Sequence, residues 1–73
     1  MPQHRLPSDL PNERVRNALQ RLGFRLAREG KHAVYARGSE TLPLPRHARL
    51  ARNTLVKALA RVGVTEEEFM AHY

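Results

Sequence analysis

Cysteine is absent from this 73-residue chain, which excludes a disulfide framework and any cysteine-based zinc site as a source of stability. So short a chain lies near the lower limit for a core that folds without such staples, so one domain held by aliphatic burial remains. Long apolar runs are missing too. The opening stretch "MPQHRLPSDLP" is broken by three prolines and fits neither a secretory leader nor a membrane span, so a cytoplasmic location is the expectation. There is no GxGxxG and no GxxxxGK[ST], which removes the nucleotide-binding enzymes. Ser8 and Ser39 sit in turn contexts without the glycine-framed elbow of a nucleophilic serine. His32 and His47, with His4 and His72 near the chain ends, fall short of the usual zinc ligand set, so no metal or other cofactor is expected.

Acids are scarce: seven Asp and Glu stand against 13 Lys and Arg, for a net charge of +6. Eleven of the 13 are arginine, and from Arg14 to Arg61 twelve basic residues face only Glu29 and Glu40. Three of the other five carboxylates are massed in "TEEE" near the C-terminal end. Arginine forks match phosphate oxygens bidentately, so this asymmetry points to a polyanion-facing surface.

Apolar spacing sets the organisation. In "ERVRNALQRLGF", Val15, Ala18, Leu19 and Leu22 repeat as on one face of a helix, with Gly23 placed to end it. Ser8, Asp9 and Asn12 each suit an N-cap, and Pro11 suits a first turn. "FRLARE" (24–29) alternates as a half-buried strand with Phe24 and Leu26 on one face. "KHAVYAR" (31–37) follows across a Gly30 turn, where glycine offers positive φ, and "RGSE" (37–40) makes a second turn. "ETLPLPRH" begins a third strand with Leu42 and Leu44 inward.

Pro43 and Pro45 share parity, so both missing N–H donors lie on one side and the third strand is an edge that resists further strand addition. "RHARLARNTLVKALARVG" then carries Leu55, Ala58, Leu59 and Val62 on one helical stripe, stopped by Gly63. "TEEEF" is a capping box with Thr65 at N-cap and Glu68 three residues on, opening a short helix that returns Phe69 and Tyr73 to the core. The expected fold is α+β in two layers: a three-stranded antiparallel meander with two helices on one face and a short C-terminal helix. Residues 1–7 are expected to be a loosely held tail and residues 8–73 the domain.

The sharpest candidate for chemistry lies in "EGKHAVY", where Lys31 and His32 follow the turn glycine Gly30. Histidine is the side chain whose ordinary charge change falls nearest neutral pH, and Lys31 and Arg28 place fixed charge beside it. His47 in "LPRHARL" raises the same question beyond the third strand. RNA cleavage needs little more, because the 2′-hydroxyl nucleophile is already in the substrate. The protein must take its proton, stabilise charge on the phosphorane oxygens and protonate the leaving 5′-oxygen.

The ordered motifs resemble the HicA (YcfA-like) family of type II toxin–antitoxin systems, whose members are small mRNA interferases. The pieces that match are Leu-Gly-Phe at 22–24, Gly-x-His at 30–32 followed by Tyr35, Pro-x-His at 45–47, Thr-Leu at 54–55, Gly63, and Glu-Glu-Phe at 67–69. They span about residues 12–70. Lys31 stands where the family usually has a small residue, often serine, and Asn53 where glycine commonly precedes Thr-Leu. The resemblance implies a double-stranded-RNA-binding-like α-β-β-β-α fold and a single catalytic histidine, which maps onto His32. It also implies mRNA as substrate and a HicB-like antitoxin that covers the active site. On this reading Arg28 and Lys31 contact phosphate, and Arg46 and His47 are auxiliary RNA binders. A non-catalytic RNA-binding module of the same fold and an adaptor for an acidic protein partner are the rival readings.

Overall fold

A computed structural model describes residues 6–73 of the chain. Two short strands, β1 (Asp9–Pro11) and β5 (Arg49–Ala51), pair antiparallel, with Leu10 opposite Leu50. Each leads without a break into a ten-residue helix: β1 into α1 (Asn12–Arg21), and β5 into α2 (Arg52–Arg61). Between the two helices lies a meander of β2 (Arg25–Glu29), β3 (His32–Arg37) and β4 (Glu40–Pro45), in the order β2-β3-β4. A short helix, α3 (Glu66–Met70), follows α2.

The β1–β5 ribbon replaces the side-chain caps expected from Ser8, Asp9 and Asn12. The residues at the two N-cap positions are Pro11 and Ala51, and neither helix has a side-chain cap. The reason lies in the backbone, whose first helical N–H groups otherwise lack partners. Asn12 N donates to the Ala48 carbonyl at 2.8 Å, and Arg52 N donates to the Ser8 carbonyl at 3.0 Å. Asp9 forms an ion pair with Arg49 across the ribbon. The first residues of the segment expected as a second long helix are therefore a loop and a strand, and the helix begins only at Arg52.

The core forms between one face of the meander and the helices. Ala33 and Tyr35 of β3 and Leu42 and Leu44 of β4 are buried with Val15 and Leu19 of α1, Leu55 and Leu59 of α2, and Phe69 of α3. The other sheet face carries His32, Val34, Thr41 and Pro43, and none of these is buried. Strand β4 pairs only with β3, so Pro43 and Pro45 lie in an edge strand, as their parity requires. Gly23 and Gly63 terminate α1 and α2 with φ of +95° and +74°. Thr65 Oγ1 accepts from Glu68 N at 3.0 Å, the expected cap of α3.

Three expectations change. Leu26 does not join Phe24 in the core. It is 40% exposed, because β2 is the outer strand and all five of its residues are exposed. Gly30 makes the turn before β3 but is not among the positive-φ glycines, and a Cβ there would meet nothing within 4 Å, so the turn does not demand glycine. The expected tail, 1–7, lies mostly outside the described residues, yet its Leu6 is a core side chain. Leu6 is fixed through its N–H to Glu66 Oε2 at 2.7 Å and through its carbonyl, which accepts from Arg52 Nη1 at 2.9 Å.

Candidate nucleic-acid interface

Strand β2 carries an irregularity that re-aims its last residues. Leu26 pairs with Tyr35, but Arg28 pairs with Val34 and Glu29 with Ala33, so Ala27 is the extra residue of a β-bulge. Side chains alternate with period two, so an inserted residue reverses the face of everything after it. Without the bulge, Arg28 would share the helix side with Leu26. With it, Arg28 joins Arg25, Val34 and His32 on the open face, and Glu29 turns to the helix side with Ala33.

His32 opens β3 opposite Pro45 and is exposed. Arg28, paired with Val34, is its diagonal neighbour on the same face, at a separation of about 7–8 Å that a long side chain can bridge. Lys31 is exposed in the preceding turn. That turn is closed by Gly30 N donating to the His32 carbonyl at 3.1 Å. The open face at this end of the sheet thus holds an imidazole and the Arg28 guanidinium, with Lys31 in the adjoining turn.

Arg46 and His47 lie on the other side of the sheet end. With Asn12, Arg16, Asn17 and Glu29 they line an open groove of about 590 Å³, and His32 is not among its walls. Glu29 is the hub: its Oε2 lies 3.6 Å from Arg46 Nε and 3.9 Å from Arg16 Nη2. Half-exposed pairs at these distances contribute about 0–1 kcal/mol, so they orient side chains more than they hold the fold. Arg46 also donates from Nη1 to the Gly30 carbonyl at 2.8 Å, and Asn12 Nδ2 donates to the His47 carbonyl at 2.6 Å. The buried Tyr35 hydroxyl accepts from Arg16 Nε at 3.4 Å. Tyr35 raises the Arg16 pKa above its ordinary value, through this bond first and through the charge of its phenolate second, with slight desolvation opposing and Glu29 and Glu13 adding attraction.

No protein-family model, curated protein or solved structure matches the chain.

Partner accounting divides the cations into two groups. Arg16, Arg37, Arg46 and Arg49 pair with carboxylates, and Arg14, Arg21 and Arg52 donate to backbone carbonyls. Arg25, Arg28, Lys31, Lys57 and Arg61 have neither kind of partner among the described residues. Of the four binding residues expected from the sequence, Arg28 and Lys31 keep their charge free, whereas Arg46 is committed to Glu29 and Gly30. His47 contributes its backbone carbonyl to the groove's frame. Glu29, Arg16, Lys57 and Arg61 were not singled out from the sequence. The i, i+4 spacing of Lys57 and Arg61 was visible there, but which arginines were already paired was not. Among the described residues, no three His, Cys, Asp or Glu side chains cluster as a metal site would need, and no helix is long and apolar enough to cross a membrane.

Proposed function

We propose that the protein is a HicA-like toxin, a metal-independent endoribonuclease that cleaves mRNA with His32 as general acid/base. The observation that carries this reading is that exposed His32 and unpaired Arg28 share the open face at one end of the sheet, with unpaired Lys31 in the turn just before His32. His32 takes the proton of a 2′-hydroxyl, whose oxygen attacks the adjacent phosphorus. The Arg28 guanidinium and the Lys31 ammonium stabilise the charge that builds on the non-bridging oxygens. The bond to the 5′-oxygen breaks, and the proton held by His32 is the one that oxygen needs. One product ends in a 2′,3′-cyclic phosphate and the other in a 5′-hydroxyl.

The element order α1-β2-β3-β4-α2 supports a double-stranded-RNA-binding-like arrangement, to which the β1–β5 ribbon is added. A HicB-like antitoxin that masks the basic face is the proposed partner, in the cytoplasm. The test is cleavage of a defined RNA by the purified protein in EDTA, with product ends analysed. A substrate carrying a single 2′-deoxynucleotide at the cut position should resist cleavage there. Cleavage of that substrate at the same bond would refute the 2′-hydroxyl mechanism.

One observation favours the rival reading, an RNA-binding module that does not cut. Among the described residues no side chain hydrogen-bonds the His32 ring, whereas a catalytic base is commonly oriented by a third group. Expression of the protein alone separates the two: an interferase arrests growth and a passive binder does not.

A further inference from the structure

We infer a second RNA-backbone site, separate from the His32 corner, in the hollow between β4 and α2. This inference rests on RNA being the ligand. Pro43 of β4 and Thr54, Lys57, Ala58 and Arg61 of α2 enclose about 270 Å³. Thr54, Lys57 and Arg61 fall on one helix face through i, i+3 and i, i+4 spacing, so their polar ends converge along a single wall. Both cations are exposed and without ion-pair partners among the described residues. No acid lines the hollow.

Two unpaired cations beside a hydroxyl donor suit phosphate oxygens, and the Pro43 ring and Ala58 methyl give an apolar floor for a sugar or base face. An acid-rich helix would satisfy the cations but leave that floor facing water.

Pro43 stands opposite Val34 and Pro45 opposite His32, so the hollow begins about 7 Å along β4 from the residue that faces His32. A single strand crossing His32 therefore reaches Lys57 and Arg61 over the proline rim of β4. That rim cannot be taken by another β-strand, which leaves it open to a different ligand.

The test is binding of an uncleavable 2′-O-methyl oligoribonucleotide, ten nucleotides long, to the parent and to the Lys57→Gln/Arg61→Gln double variant across a salt series. Each lost phosphate contact flattens the slope of log affinity against log salt by about 0.7 for single strands, so the double variant should flatten it by about 1.4. Over the decade from 1 M to 0.1 M salt this corresponds to affinity about 25-fold lower at 0.1 M. An unchanged slope with the decamer refutes the α2 site while leaving the RNA reading intact. A parent that does not bind the decamer refutes the RNA reading itself, and with it the ligand assigned to this hollow. Both side chains are exposed, so the double variant should melt within a few degrees of the parent.

Discussion

Arg46 reaches back across the end of the sheet and donates from Nη1 to the Gly30 carbonyl at 2.8 Å, tying the loop after β4 to the turn that precedes His32. The same side chain pairs with Glu29, so its charge is spent inside the molecule. We propose that Arg46 positions the His32 turn rather than contacting phosphate. Arg46→Ala should therefore lower the rate of RNA cleavage, by up to about 10²-fold if the turn shifts, while changing affinity and its salt slope little. Arg28→Ala should also slow cleavage, because its guanidinium is assigned to the non-bridging oxygens, and it should in addition flatten the salt slope by about 0.7. Equal slope changes in the two variants would return Arg46 to the RNA-contacting set.

The proline rim of β4 should be dispensable for folding. Pro43→Thr with Pro45→Val restores two N–H donors on the unpaired side of an edge strand, where no ladder partner is lost. The double variant should stay folded by circular dichroism and associate more strongly in sedimentation, because the exposed edge becomes usable. A collapse of the fold would mean that the proline geometry shapes β4 itself.

Core truncation should be severe. A 73-residue domain at the usual per-residue stability holds about 4–11 kcal/mol in total. Leu59 is fully buried beneath the sheet, and Leu59→Ala should cost about 2–5 kcal/mol. Thr65→Ala removes only the α3 cap and should cost about 1 kcal/mol, a fall in Tm of about 4–8 °C for a domain this small. Thermal melts that rank the two variants in the reverse order would contradict the assigned core.

Much of the architecture was legible because apolar periodicity and punctuation agreed. Val15, Ala18 and Leu19 marked α1, Gly23 ended it, and the shared parity of Pro43 and Pro45 placed β4 at the edge. The β1–β5 ribbon was hidden because each strand is three residues long with one inward leucine, too short to show a period of two. Leu50 also falls within the continuous stretch that reads as part of the second long helix. The bulge at Ala27 left no local signal, since no glycine marks it, and so the face taken by Arg28 and Glu29 could not be read. For the site, His32, Lys31 and Arg28 were visible as residue types. Which arginines bind carboxylates or carbonyls depends on contacts such as Arg49 with Asp9, forty residues apart, which composition cannot reveal.

The central claim is that His32 does chemistry while the free cations bind. The most direct measurement is single-turnover cleavage of a defined RNA in EDTA by the parent and by His32→Ala, with affinity measured in parallel on an uncleavable 2′-O-methyl analogue. Loss of a positioned acid/base should slow cleavage by about 10²–10⁴-fold. Affinity should change only a few-fold, because Arg28, Lys31, Lys57 and Arg61 remain, and the exposed strand-end position should leave the melting temperature nearly unchanged. Cleavage by His32→Ala at the parent rate, from a protein equally folded, would contradict the account and make His47 the next residue to test.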